Sequence, residues 1–143
     1  MTHEVVAMET STDDVHDVKA LPRLVEEAGR NMRVSKLYGD GAYDSGDAYR
    51  LLEARGIESV IKPRRNSRLD TRCPGRRLAV DRVRELGYDA WAKLTGYGGR
   101  WAVETAYSSF KRLFGECSLA RSFENIVREL VGKVALYNML VNM

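Results

Sequence analysis

SKLYGDGAYDSGDAYRLLEARGIESVIKP, residues 35–63, decides the fold. Lys36 to Gly39 is a short β-capable run that enters a glycine-flanked turn around Asp40. Ser45 offers an N-cap to a compact helix over 45–56, which Gly56 stops. IESVIKP (57–63) reads as a second strand, closed by Pro63. Two strands joined through a helix imply parallel pairing, because a tight hairpin can only return the chain antiparallel.

Upstream, EVVAMETS (4–11) reads as a further strand, and Asp13 and Asp14 offer capping and turn chemistry. DVKALPRLVEEAGR (17–30) places Val18, Leu21, Leu24, Val25 and Ala28 at helical spacing and ends near Gly29. Downstream, 64–77 has few apolar residues and contains Pro74 and Gly75, so it reads as an exposed loop. Helical periodicity returns over 78–94, broken near Gly87, and again over 98–114 and 123–142. The expected order is β-α-β-α-β, an Arg-rich loop, then helices: an α/β fold with three strands in one largely parallel sheet.

With 143 residues, 44% hydrophobic and 30% charged, the chain is globular and long enough to bury a core without staples. Its apolar runs fall far short of the roughly twenty residues a membrane helix needs, so no membrane partner is expected. The N-terminus lacks a basic stretch followed by an apolar one, which makes the cytoplasm the expected location. Cys73 and Cys117 are unclustered, which argues against a disulfide framework or a zinc site.

A net charge of +3 conceals an uneven distribution. Residues 1–30 carry 3 basic and 7 acidic side chains. Residues 62–86 carry Lys62 and eight arginines, Arg64, Arg65 and Arg68 among them, against Asp70, Asp81 and Glu85. Arginine grips phosphate through a bidentate fork, so the cluster points to a polyanion, while a solvated loop is the plainer explanation of any one charge run.

Two features carry chemistry. Asp40 stands between Gly39 and Gly41 at the C-terminal end of a strand, the edge of an α/β sheet where ligands bind. On the helix at 98–114, an advance of about 100° per residue puts Tyr97, Arg100, Glu104, Tyr107, Ser108 and Lys111 within about 60° of Glu104. Val103, Ala106, Phe110, Leu113 and Phe114 fall on another side and read as the core contact. An exposed Arg100–Glu104 pair at i,i+4 would explain two of the six polar residues. Two carboxylates converging beside a basic loop are the usual holders of Mg²⁺ in two-metal phosphoryl transfer, with Arg and Lys placing the nucleic-acid backbone.

The run from Tyr97 through Arg100 and Glu104 to Lys111 resembles, without a gap, the Y-x2-R-x3-E-x6-K signature of DDE transposases from prokaryotic insertion sequences. Asp40 in GDGAYD is similar in position to that family's second aspartate, and VHDVKALPRLVEEA (15–28) resembles the segment ahead of it. The resemblance implies a ribonuclease-H-like fold and three acids holding two Mg²⁺ ions. Asp40 would be the second acid and Glu104 the third, both as catalytic residues and metal ligands. Tyr97, Arg100 and Lys111 would contact DNA, the double-stranded ends of the element, together with Arg64, Arg65 and Arg68 of the basic loop.

The family's first aspartate stands on the opening strand of its sheet. The chain is therefore expected to be a partial catalytic domain over 1–143, with its opening strands missing, an Arg-rich loop at about 62–77 and a signature helix at about 98–114. On that reading it is inactive alone and completed by an upstream fragment or by self-association. A non-catalytic DNA-binding or interaction remnant is the alternative, and a stand-alone nuclease with its own first acid is a third.

Overall fold

The computed structural model describes residues 3–11, 16–69 and 72–143, so Asp13, Asp14 and Asp70 lie outside the described residues. The chain is a mixed helix and strand protein, mostly helical, with a small sheet. Residues 11–100 form one compact unit; the segment through residue 10 and residues 101–143 form another.

In the first unit the elements are α1 (Asp17–Asn31), β1 (Lys36–Gly39), α2 (Gly46–Ala54), β2 (Glu58–Ile61), α3 (Pro74–Leu86) and α4 (Tyr88–Thr95). Turns of 3₁₀ helix occupy Gly41–Tyr43 and Tyr97–Arg100. β1 and β2 pair in parallel, with Lys36 opposite Glu58 and Gly39 opposite Ile61. The expected β-α-β unit is present, and α2 starts as the sequence implies: Ser45 Oγ accepts from Ala48 N–H at 3.2 Å.

Successive strand residues point to opposite faces, which gives this small sheet two cores. On one side Leu37 and Ile61 join Leu21 and Val25 of α1, Ala48, Tyr49 and Leu52 of α2, and Cys73. On the other, Tyr38 and Val60 join Val83, Trp91, Ala92 and Tyr97. Burial on both faces is what a parallel pair requires. Tyr49 ties α2 to β2 by donating from its hydroxyl to the Ile61 carbonyl at 3.3 Å.

Several expectations are corrected. Residues 4–11 are not a strand among the described residues, and the sheet has two strands rather than three. Val5 uses its backbone on a side chain instead: its N–H donates to Asn138 Oδ1 at 2.9 Å, and Asn138 Nδ2 donates back to its carbonyl at 2.8 Å. The stretch 64–77 is not loop throughout. α3 opens at Pro74, whose fixed φ and missing N–H suit a first helical position, and Ser67 and Cys73 are buried. Gly87 (φ 77°) separates α3 from α4, as the break in periodicity implies.

The second unit contains α5 (Trp101–Phe114) and α6 (Phe123–Val141). Phe110 packs on Phe114 at 5.0 Å between ring centroids and edge-on to Tyr137 at 5.8 Å. Val103 and Leu113, expected in the core contact, are 62% and 54% exposed. Glu129 on α6 holds the loop ahead of it, accepting from Ser118 Oγ at 2.6 Å and from the N–H of Ala120 at 3.0 Å. Among the described residues no helix is long and apolar enough to cross a membrane.

Candidate active site

Asp40 follows the last residue of β1, where the strand's hydrogen bonding ends and the chain turns. Its Oδ1 accepts from Ala42 N–H at 2.9 Å, capping the 3₁₀ turn. Its Oδ2 lies 3.6 Å from Arg100 Nη2, an ion pair too long for a hydrogen bond and partly open to solvent.

Around it opens a cleft of about 500 Å³ lined by Asp40, Lys62, Arg64, Arg65, Tyr88, Tyr97 and Arg100, with Gly41, Ala42 and Pro63. Five of the residues singled out from sequence are thus together: Asp40, Arg64, Arg65, Tyr97 and Arg100. Lys62 and Tyr88 complete the lining, the Lys62 ammonium standing 4.5 Å above the Tyr88 ring. Tyr88 is not singled out by the sequence, where it follows the break at Gly87 with no local signal of its own. Tyr88, Trp91 and Tyr97 form an aromatic cluster in tilted and edge-on contacts, with Trp91 and Tyr97 centroids 5.1 Å apart.

Tyr97 and Arg100 reach the site on a 3₁₀ turn, not on an α-helix over 98–114; the helix begins at Trp101. Gly99 lets this turn approach the strand. A Cβ there would come within 3.3 Å of the Tyr38 ring, so the turn lies close against β1 and only glycine fits without displacement. The 100° stripe therefore holds on α5 from Glu104 to Lys111 but not back through Tyr97 and Arg100.

Arg64 is fixed over the turn that bears Asp40. Its Nε donates to the Gly41 carbonyl at 2.6 Å and its Nη2 to the Ala42 carbonyl at 3.5 Å. Arg68 does not line the cleft; its carbonyl accepts from Arg76 Nη1 at 3.2 Å. Beneath the loop lies Asp44, whose side chain is wholly buried. Burial alone would raise its carboxyl, but the bonds from Arg76, Ser67 and the Arg64 N–H outweigh it and hold the group below the ordinary carboxylate range. Burial also pushes the Tyr43 hydroxyl up, helped by the negative charges of Asp17 and Asp40.

Glu104 and Lys111 lie on α5, in the other unit. Glu104 is exposed, and Lys111 Nζ makes an ion pair with Glu116 Oε1 at 3.1 Å while standing 4.8 Å over the Tyr107 ring. The Glu116 hydrogen bond and charge raise the Lys111 ammonium above the usual lysine range.

Carboxylate oxygens are the donors a hard cation such as Mg²⁺ takes, so Asp40 has the right chemistry. One carboxylate among four cations does not by itself make a metal centre, and among the described residues no group of three His, Cys, Asp or Glu side chains gathers around one point. What the cleft offers within its own unit is a cationic trough with one acid at its floor.

A cationic trough at the carboxyl end of a parallel strand, floored by an aspartate and walled by tyrosines, is the kind of site that takes a polyanionic backbone. The family model described as the transposase DDE domain matches residues 1–139, and the chain belongs to that family. Its role is accordingly that of a transposase, in DNA transposition. No solved structure matches the chain.

Proposed function

We propose that this chain binds the double-stranded DNA ends of a mobile element through the Asp40 cleft and takes part in Mg²⁺-dependent cleavage and transfer of their strands. The observation that carries the reading is the charge of the cleft: Lys62, Arg64, Arg65 and Arg100 against Asp40 alone. Four cations overcome the repulsion between Asp40 and a phosphodiester, so a backbone can be drawn up to a carboxylate that would otherwise reject it. Family membership supplies the nature of the polyanion.

In this reading each residue has a task. Arg64 and Arg65 hold phosphates on the loop side of the trough. Arg100, paired with Asp40 at 3.6 Å, offsets the charge of that carboxylate and would contact the phosphate beside it. Tyr88, 42% exposed, offers an apolar surface against which sugar or base can rest, and the buried Tyr97 backs it. Arg68 and Lys111 would also contact the duplex. Asp40 and Glu104 would hold the Mg²⁺ ions, with a third carboxylate not among those of the cleft. When bound, the metal activates the attacking oxygen and stabilises the leaving one.

The test uses a supercoiled plasmid carrying the DNA that flanks the coding sequence. With Mg²⁺, the chain alone is expected to bind and not to nick; with a strand bearing a further aspartate supplied in trans or by fusion, it should cut. Asp40→Asn and Glu104→Gln should each abolish that cutting while leaving binding within a few-fold. Undiminished cutting by Glu104→Gln would refute the assignment of that acid. Binding that no added strand converts to cutting would favour the second reading, a non-catalytic DNA-binding protein, for which the lone carboxylate of the cleft already speaks.

A further inference from the structure

The GDGAYD turn contains a second aspartate that the reading above leaves without a task. Asp44 is buried, and both of its carboxylate oxygens are engaged by groups far away in sequence. Arg76 grips it as a fork, Nε to Oδ1 at 2.8 Å and Nη2 to Oδ2 at 3.2 Å. The Arg64 backbone N–H donates to Oδ2 at 2.9 Å, and the Ser67 hydroxyl donates to the same oxygen. The partners come from both ends of the β2–α3 connection, so one carboxylate pins that connection to the turn after β1.

We infer that Asp44 is a positioning residue for DNA binding: by holding the Arg64 backbone and the loop behind it, it sets the Arg64 guanidinium on the Gly41–Ala42 carbonyls, at the mouth of the Asp40 cleft. The inference rests on the proposed function for its consequence but not for its geometry. Three observations carry it. The Arg64 N–H bonded to Asp44 and the Arg64 Nε bonded to Gly41 belong to one residue, so release of the first frees the second. Gly41 leaves room for this side chain, since a Cβ there would stand 3.3 Å from Arg64 Cγ. Other arginines of the basic run strengthen the same clamp: Arg76 Nη1 donates to the Arg68 carbonyl at 3.2 Å, and Arg84 Nη2 to the Ser67 carbonyl at 2.8 Å.

Two groups within the basic segment thus have different tasks. Arg76 and Arg84 hold the loop from α3, while Lys62, Arg64 and Arg65 line the cleft. A buried, multiply bonded ion pair is a poor way to gain stability compared with apolar packing, but it fixes a geometry tightly. That is the property a flexible arginine needs if it is to meet a phosphate in one place, because the ordering has been done before the ligand arrives.

The experiment compares the full chain with Asp44→Asn, Gly41→Ala and Arg64→Ala, singly and with Asp44→Asn added to Arg64→Ala. Nitrogen-edited NMR follows the Arg64 backbone and Nε–H signals, and fluorescence anisotropy follows a duplex probe at 50 mM salt. Asp44→Asn should shift both Arg64 signals and weaken the duplex about tenfold, the effect of roughly one lost phosphate contact at that salt. It should weaken it no further when Arg64 is already Ala. Gly41→Ala, which leaves every Asp44 bond in place, should move the Nε–H signal alone and reproduce most of the loss; if Asp44→Asn does not fold, Arg76→Lys, which keeps the charge but loses the fork on Asp44, should shift both Arg64 signals in its place. Equal losses from Asp44→Asn in both backgrounds would make the carboxylate a stabilising group only, and unmoved Arg64 signals would overturn the inference outright. Should the unmodified chain fail to bind the duplex, the proposed function falls, and the Arg64 signals still decide the positioning.

Discussion

Replacing Arg64, Arg65 and Arg68 together with alanine tests whether the basic loop binds phosphate or is simply solvated. All three are exposed, and none is in the apolar cores, so the fold should survive the change. Arg64 loses its bonds to the Gly41 and Ala42 carbonyls, but those carbonyls are solvent-accessible and water can replace the guanidinium. If each arginine neutralises one phosphate, the slope of log K against log salt becomes shallower by about 2.7. Over the fourfold rise from 50 to 200 mM salt, the ratio of unmodified to variant affinity should then shrink about 40-fold. If only the two that line the cleft act, the change is about 1.8 and the shrinkage roughly 12-fold. Anisotropy titrations of a labelled duplex across that salt range measure it. Arg30→Ala is the control, because Arg30 pairs with Glu26 on α1 at 2.7 Å and is far exposed. An unchanged slope in the triple variant would mean that the loop meets no phosphate, and the functional reading of the cleft would fail with it.

Three further outcomes follow from particular contacts. Leu52→Ala empties a wholly buried position between α1 and the sheet and should cost about 2–5 kcal/mol in denaturant unfolding; a cost below about 1 would mean the core is not packed as described. Glycines should respond with opposite signs: Gly96→Ala forces a Cβ into the left-handed region (φ 70°, ψ 24°) that ends α4, at about 1–2 kcal/mol, whereas Gly29→Ala inside α1 meets nothing within 4 Å and should stabilise by about 0.5–1 kcal/mol. The Lys133 and Ser118 bonds hold the Glu129 carboxyl at about 2 against its ordinary 4.5, so its contribution to stability is complete above pH 4.5 and is lost as pH falls towards 2. Glu129→Gln should flatten the pH dependence of Tm across that interval, and a curve that keeps the slope would show the pairing absent in solution.

What could be read from the sequence, and what could not, divides along range. Residues 35–63 declare themselves because the Gly39–Gly41 turn, the Ser45 cap and the Gly56 stop are local signals, and each acts on its own neighbours. Val5 and Val6 look like strand for the same local reasons, yet Val5 is bonded to Asn138, 133 residues away, which no window contains. The 3₁₀ turn at 97–100 likewise answers to Tyr38, across the chain. In the site, Asp40 is visible from its flanking glycines and its place after a strand. Asp44 is not, because its meaning comes from Arg76, and a run of arginines gives no sign of which will turn inward.

Cys73 sits at the end of the loop that this clamp holds, wholly buried, with its Sγ 3.7 Å from the Gly46 carbonyl, while Cys117 is exposed. The two thiols therefore run on different clocks. A thiol reagent added to the folded chain should consume the exposed Cys117 first and then slow abruptly, because Cys73 can react only during moments when its surroundings open. Where closing is faster than labelling, that slow rate divided by the rate of a free peptide thiol is the fraction of time the loop end spends open, a free energy of local opening read without denaturant. A polyanion that seats against the loop should lengthen the slow phase and leave the fast one untouched. The chain thus carries its own reporter of occupancy, at a residue that need not touch the ligand at all.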